Sequence, residues 1–343
     1  MDLNCSQNPH KNLKISKILL AVLCALVTPF ASGGAVFTVL TTAVFTYILF
    51  DENFSNKTKL CIVFTIGLTF VSIFLKTKLL VFLIQIVNII LPSAVLSYMF
   101  GKKITDLADL VKGVTLANLA VSLLDLAKLK FYDKYDLIKD GVTPYFDKIK
   151  PVYTELLNQN KAIIPSEAFE AFNSVFDMIQ DFTVRFIPFM LIAVSALTAF
   201  FIIKLSAYFI GTSLKKSAYS IASSFEEYTT PHHSGILMII LFVVILSGAN
   251  NSFASACYNL IAYIFAEYII CGTAIILYIV KKHTKAKGVL KLFIFCLCIF
   301  LICVLSAFLS FIGGLNILVL LGMFDSNFNF RKLEKLKRPR ILK

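Results

Sequence analysis

Long apolar runs broken by short polar stretches organise this chain. Ile18 to Ser32 and Ala35 to Phe50 flank Gly33-Gly34, Leu60 to Leu75 and Leu79 to Phe100 flank Lys76-Thr77-Lys78, and Gly113 to Leu129 makes a fifth run. Beyond a polar interval come Phe186 to Ile210, Gly235 to Leu246, Tyr258 to Val280 and Leu290 to Ile312, and Leu315 to Phe324 closes the series. A helix needs roughly 20 apolar residues to cross a bilayer, so the pattern predicts about nine spans. The closing run rises only roughly 15 Å as a helix, so it is either a half-helix packed inside the bundle, which positive-inside logic prefers, or the end of a long tilted last helix with the tail outside. Pro29 should kink the first span. That span is read as uncleaved, because no small-residue cleavage site followed by a soluble chain appears. The fold class expected is all-α, a polytopic transmembrane helical bundle.

The polar interval from Tyr132 to Thr183 is the exception to the pattern. It carries five cations (Lys134, Lys139, Lys148, Lys150, Lys161) against nine anions (Asp133, Asp136, Asp140, Asp147, Glu155, Glu167, Glu170, Asp177, Asp181) and three of the nine prolines. Pro165-Ser166-Glu167 reads as a helix start, and Phe169, Phe172, Phe176 and Ile179 recur at helical spacing to give one apolar face. Packing onto the membrane block is the plain reading of that face, and a substrate-facing lid is the sharper one. Three regions follow: an N-terminal membrane block 1–131, a helical insertion 132–185, and a C-terminal membrane block 186–343 with a basic tail.

Basic clusters set the expected orientation. Lys11, Lys14 and Lys17 precede the first span, Lys102-Lys103 follows the fourth, Lys215-Lys216 follows the sixth, and Lys281, Lys282, His283, Lys285 and Lys287 follow the eighth. Short basic loops stay cytoplasmic, which puts both termini inside and the insertion on the extracytoplasmic side of the membrane. Lys76 and Lys78 run against this rule.

Composition agrees. With 58% hydrophobic and 15% charged residues, the chain exceeds what a soluble core hides, and the lipid bilayer supplies the missing burial. The net charge of +13 lies in loops and tail rather than on one face, so it reports orientation and not nucleic acid. The eight cysteines fall mostly within apolar runs as small hydrophobes. Cys296-Leu-Cys298 lacks a two-residue spacer and adjacent His232-His233 share no face, so no metal site is expected. No phosphate loop, metal helix or nucleophile elbow appears. Neither enzymatic activity nor a cofactor is expected, and any ATP would be bound by a separate ATPase-module partner.

Polar residues inside spans are the candidate sites, since an ionised group at mid-bilayer costs at least ~2.5 kcal/mol unless it faces protein or water. Asn259, Tyr263 and Glu267 recur every four residues and share one face of the eighth span, with Cys271 a turn beyond. Glu267 either binds a cationic solute, ion or proton, or donates an interhelical hydrogen bond as a protonated acid. Gln85 and Asn88 place two amides on the fourth span, and Asn118 and Asp125 add polar groups to the fifth; amides also serve as interhelical glue. Lys204 is expected to snorkel. Ala21 and Ala25 form a small-xxx-small pair that admits a close helix neighbour.

The closing segment Leu320-Leu321-Gly322-Met323-Phe324-Asp325-Ser326-Asn327-Phe328-Asn329-Phe330-Arg331-Lys332 resembles the end motif of the YybS-like family of membrane proteins, with Gly322, Asp325, Phe330 and Arg331 as its marks. The layout is similar over most of the chain. The resemblance implies a plasma-membrane protein of Firmicutes-type bacteria, distantly similar to the substrate-binding components of energy-coupling-factor vitamin transporters. In those, a small-xxx-small pair of the first span docks the coupling subunit, and Ala21 and Ala25 occupy that place. Asp325 and Arg331 are expected to pair around a turn. The function expected is a transporter-like, small-solute-binding component that works with an energising partner, its site formed by Glu267, Tyr263 and Asn259 with Gln85 and Asn88. The alternative is a membrane scaffold or regulator that recruits envelope or division partners through its insertion.

Overall fold

The computed structural model describes residues 15–31, 35–159, 166–215, 221–230, 234–247, 251–284, 289–313 and 316–331. Gly33-Gly34, His232-His233, the lysines Lys11, Lys14, Lys216, Lys285 and Lys287, and the tail beyond Arg331 lie outside them, as do the side chains of Phe169 and Phe172. Among the described residues every regular element is helical. The α-helices are α1 (Ile15–Ala31), α2 (Ala35–Leu49), α3 (Phe54–Phe74), α4 (Leu79–Gly101), α5 (Leu107–Phe131), α6 (Thr143–Gln159), α7 (Ser166–Ser213), α8 (Ser234–Leu246), α9 (Asn251–His283), α10 (Val289–Gly313) and α11 (Ile317–Phe328). A π-helical turn, Leu137–Val142, leads into α6. Five helices (α3, α4, α5, α7 and α9) are long and apolar enough to cross a membrane, and α1, α2, α8, α11 and the Val289–Leu305 part of α10 are shorter apolar stretches.

Two helices start earlier than their apolar runs because a polar residue caps them. Asn53 accepts from the Asn56 N–H at 2.8 Å ahead of α3, and Asp106 accepts from the Ala108 N–H at 2.9 Å ahead of α5. Each satisfies a first-turn donor with no partner inside the helix. The largest departure from expectation is α7. Insertion helix and sixth span form one helix of 48 residues, which runs through the change in composition near Thr183 and through Pro188.

The chain groups into two compact units that cut across the three sequence regions. The first takes Met1–Thr105, Asp109–Asp125 and Ser195–Ala222; the second takes Asp106–Ala108, Leu126–Val194 and Ser223–Lys343. α7 therefore contributes to both.

In the first unit the core is Phe45, Ile48, Leu49, Leu60, Phe64, Leu68 and Ile89 around Ala21 and Ala25. Both alanines are fully buried, and a Cβ added to Gly67 would lie 2.9 Å from that of Ala25. The small face of α1 is thus spent on α3 of the same chain. Several buried threonines return their hydroxyls to the preceding turn, as Thr46 does to the Thr42 carbonyl at 2.8 Å, which satisfies the donor within its own helix, whereas the buried hydroxyls of Ser72 and Thr115 have no hydrogen-bond partner among the described residues. Ser93 donates to the Thr42 carbonyl at 3.0 Å and Asn118 to the Ser195 carbonyl at 3.1 Å, tying α4 to α2 and α5 to α7.

In the second unit α11 lies against α9. A Cβ on Gly322 would stand 2.1 Å from the Tyr268 carbonyl oxygen, and one on Gly272 would stand 2.2 Å from that of Leu318. Backbone meets backbone there, which only glycine permits. Asn316 caps α11 through the Leu318 N–H at 3.0 Å. The closing run is therefore a helix of 12 residues, shorter than a bilayer crossing.

Four helix ends share a backbone device. Lys76, Lys103, Lys134 and Lys215 adopt left-handed conformations with φ of 52°, 59°, 54° and 52°, the position where glycine is the usual residue.

Candidate functional site

Asn259, Tyr263 and Glu267 do share one face of α9, and each is committed to a neighbour. Pro188 has no N–H to return to the preceding turn, and a proline ring inside a helix pushes the backbone apart. The amide of Asn259 fills the opening. Its Oδ1 accepts from the Phe189 N–H at 2.9 Å, and its Nδ2 donates to the Arg185 carbonyl at 2.9 Å and to the Ser255 carbonyl at 2.8 Å. Phe189 and Arg185 are an i, i−4 pair, so the side chain replaces the main-chain bond that a continuous helix would make between them. Asn259 holds α7 together and has no amide hydrogen left over.

One turn along α9, the Tyr263 hydroxyl donates to Glu267 Oε1, a turn further on, at 2.7 Å. Glu267 is buried, at 6% exposure. Tyr228, from the turn after Ser224, is buried close by; burial first, and the nearby Glu267 second, push its phenol well above the ordinary tyrosine range. Tyr268 is fully buried and shares a 2.9 Å hydrogen bond with Ser234 at the start of α8. A carboxyl group thus sits among three tyrosines inside a membrane-length helix, an arrangement able to bind a cation or proton and equally able to fix α8 and α9.

One turn further lies an ion pair that fastens the end of α11. Arg331 and Asp325, both buried, meet at 2.6 Å and 2.9 Å through Nη2 and Nε. Nη2 also donates to the Tyr228 carbonyl at 2.8 Å, and Nη1 donates to the Glu226 carbonyl. The guanidinium fork serves a carboxylate and two carbonyls at once. The pairing expected around the turn is present, and its reach to the 226–228 turn is new. Glu226 also pairs with Lys281. Burial pushes that carboxyl up, but the Lys281 ammonium and the Ser224 hydroxyl outweigh it and hold it below the ordinary glutamate range. Of the other motif residues, Gly322 makes the α9 crossing and Phe330 is exposed.

Gln85 and Asn88 belong to the first unit, and the α9 residues to the second. Gln85 Oε1 is buried without a hydrogen-bond partner among the described residues. Lys204, also in the first unit, lies over the Phe200 ring. Among the described residues no three His, Cys, Asp or Glu side chains group as metal ligands.

Sequence reasoning missed a cavity. At one end of the first unit an open space of about 1020 Å³ is lined by Asp51, Glu52, Lys57, Ser97 and Lys103, with Phe50, Phe100, Leu214 and Ile221 as apolar walls. Lys57 reaches Ser97 at 3.3 Å. Glu52 accepts from Lys17 at 2.5 Å and from Asn56 at 3.1 Å. The signal was present as charges at the ends of four apolar runs, where they read as loop markers only. Gly272 was missed likewise, because a lone glycine within an apolar run has no distinguishing neighbours.

No curated protein and no solved structure matches the chain. Residues 17–316 match the family model described as predicted membrane protein (DUF2232), and the chain belongs to that family.

Proposed function

We propose that the protein is a multi-pass plasma-membrane component that binds a small polar solute and works with a separate polypeptide that supplies energy. The cavity of the first unit carries this reading. Its volume stands at the upper limit for small-molecule sites, about 300–1,000 Å³, and charges of both signs stand on apolar walls. This shifts the preferred site from the α9 face to Asp51, Lys57 and Lys103. The Tyr263–Glu267 pair is a second site of the same protein, suited to a cation or proton. In this reading α1, α2, α8 and α10 cross beside the five long helices, α11 is a half-helix, and both termini are cytoplasmic. Support for the orientation comes from Lys17, Lys57 and Lys103, which gather at one end of the first unit as positive-inside logic requires. A separate energising partner is in keeping with the lack of a phosphate-binding loop in the sequence and with the resemblance to energy-coupling-factor components.

Native mass spectrometry of the purified protein tests the reading, with wild type, Lys57→Met and Glu267→Gln side by side. A small molecule retained by wild type and lost from Lys57→Met places the solute in the cavity. Loss confined to Glu267→Gln moves it to α9. A protein subunit retained by all three with no small molecule sinks the solute reading. That result favours the second reading, a scaffold or regulator recruiting envelope or division partners, for which the exposed Val175, Met178 and Phe182 of α7 speak.

A further inference from the structure

The insertion helix α6 has an apolar face that its own unit does not cover. Tyr145, Ile149, Val152 and Leu156 follow one another at spacings of four, three and four, which aligns them on one side of a helix. Tyr145, Val152 and Leu156 are 62%, 57% and 51% exposed. A neighbouring face is taken by α7, where Phe146 packs edge-on against Phe176 at 5.5 Å and Lys150 pairs with Asp177 at 2.6 Å.

The chain around α6 limits what can cover the strip. α5 ends at Phe131 and α7 continues into an apolar, membrane-length stretch, so α6 is tethered on both sides to membrane-length helices. α7, on which α6 packs, carries exposed apolar residues at Val175, Met178 and Phe182 and on into its apolar stretch at Met190 and Val194. α6 also has the marks of a helix that lies in the membrane plane, with strong segregation of apolar and polar positions and low overall hydrophobicity. Tyr145 and Tyr153 are of the aromatic type that favours the bilayer interface.

We infer that α6 rests on the bilayer surface, with Tyr145, Ile149, Val152 and Leu156 inserted about 5–10 Å into the boundary between headgroups and acyl chains. The inference is independent of the solute reading. Asp147, Lys148, Lys150 and Glu155 balance one another, so the attachment is apolar and needs no anionic lipid.

The chain contains no tryptophan, so a single introduced indole reports on its own position. Val152→Trp, Leu156→Trp and, from the opposite face, Asn158→Trp are placed in the full chain and reconstituted in phosphatidylcholine vesicles brominated near the carbonyl end of the acyl chains. Val152→Trp and Leu156→Trp are expected to emit at shorter wavelength and to be quenched roughly threefold more than Asn158→Trp, unchanged by added salt. Short-wavelength emission without bromine quenching would mean that protein, a second copy or another chain, covers the strip, and would overturn the inference. Long-wavelength, unquenched emission at both strip positions would show a solvated face and overturn it equally.

Discussion

The two units hold their helices together by different means. In the first, large apolar side chains interdigitate around Ala21 and Ala25, hydroxyls such as that of Thr46 bond within their own helix, and Ser93 and Asn118 each bond one carbonyl of a neighbouring helix. In the second, α9 is surrounded by polar contacts specific to single atoms: an asparagine spliced into another helix, a carboxyl among tyrosines, an arginine fork on two carbonyls, and two glycines at a backbone crossing. Apolar side chains gain little from one another over lipid tails, so packing fit and hydrogen bonds carry helix association in a membrane. The first unit relies on fit over a broad surface, which spreads the consequence of any one change. The second concentrates its cohesion in a few atoms and should be the more fragile to single substitutions.

The widest gap between the units is expected at Arg331. Arg331→Met leaves Asp325 buried without its cation and should cost about 3–5 kcal/mol, read as a fall in the melting temperature of the detergent-purified protein. Arg331→Met with Asp325→Leu should recover most of that loss, because the uncompensated charge is gone. If the double variant is as unstable as the single, the carbonyl contacts to the 226–228 turn matter more than the charge.

Gly322→Ala is next. Its methyl would overlap the Tyr268 carbonyl, and backbone cannot yield as a side chain can, so a loss of about 3 kcal/mol is expected. Gly101→Ala in the first unit meets nothing within 4 Å and should be near neutral in the same assay. Equal effects at the two glycines would remove the contrast.

Asn259→Ala should cost about 1–3 kcal/mol by orphaning the Phe189 N–H and the Arg185 carbonyl. The cost should shrink when Pro188→Ala is also present, since a regular α7 closes its own bonds. An undiminished cost would mean that Asn259 acts elsewhere.

The smallest expected effect is at the Glu226–Lys281 pair. Lys281 is half exposed and the pair is partly screened, so Lys281→Met should cost under about 1 kcal/mol at neutral pH. The folded Glu226 carboxyl lies below its ordinary value, so the contribution is present above the ordinary glutamate range and lost as pH falls through the folded value. Melting curves of wild type and variant should therefore converge in acid and separate toward neutrality.

The helices were legible because hydrophobic runs of bilayer length leave the backbone no alternative that satisfies its own hydrogen bonds. The shared face of Asn259, Tyr263 and Glu267 followed from a spacing of four. What Asn259 does there was not legible, because its partners are main-chain atoms 70 and 74 residues away and Pro188 and Asn259 carry no mark of each other. Fusion of the insertion helix with the sixth span escaped because the change from polar to apolar composition near Thr183 reads as a boundary, although a single helix can run through it. The cavity depends on where four helix ends meet, which periodicity along one helix cannot express. Ala21 and Ala25 were readable as a close-approach pair, but not which helix would approach.

The left-handed lysines set two kinds of engineering against each other. A glycine at Lys103 or Lys215 would relieve the backbone of roughly 1 kcal/mol of steric cost, and a screen for thermal tolerance would keep it. In the proposed orientation the same exchange deletes a cation from a cytoplasmic basic loop, the kind of loop whose charge directs neighbouring helices during insertion, and a screen for correct membrane orientation is expected to reject it. Heat tolerance and insertion fidelity should therefore rank substitutions at these two positions in opposite order.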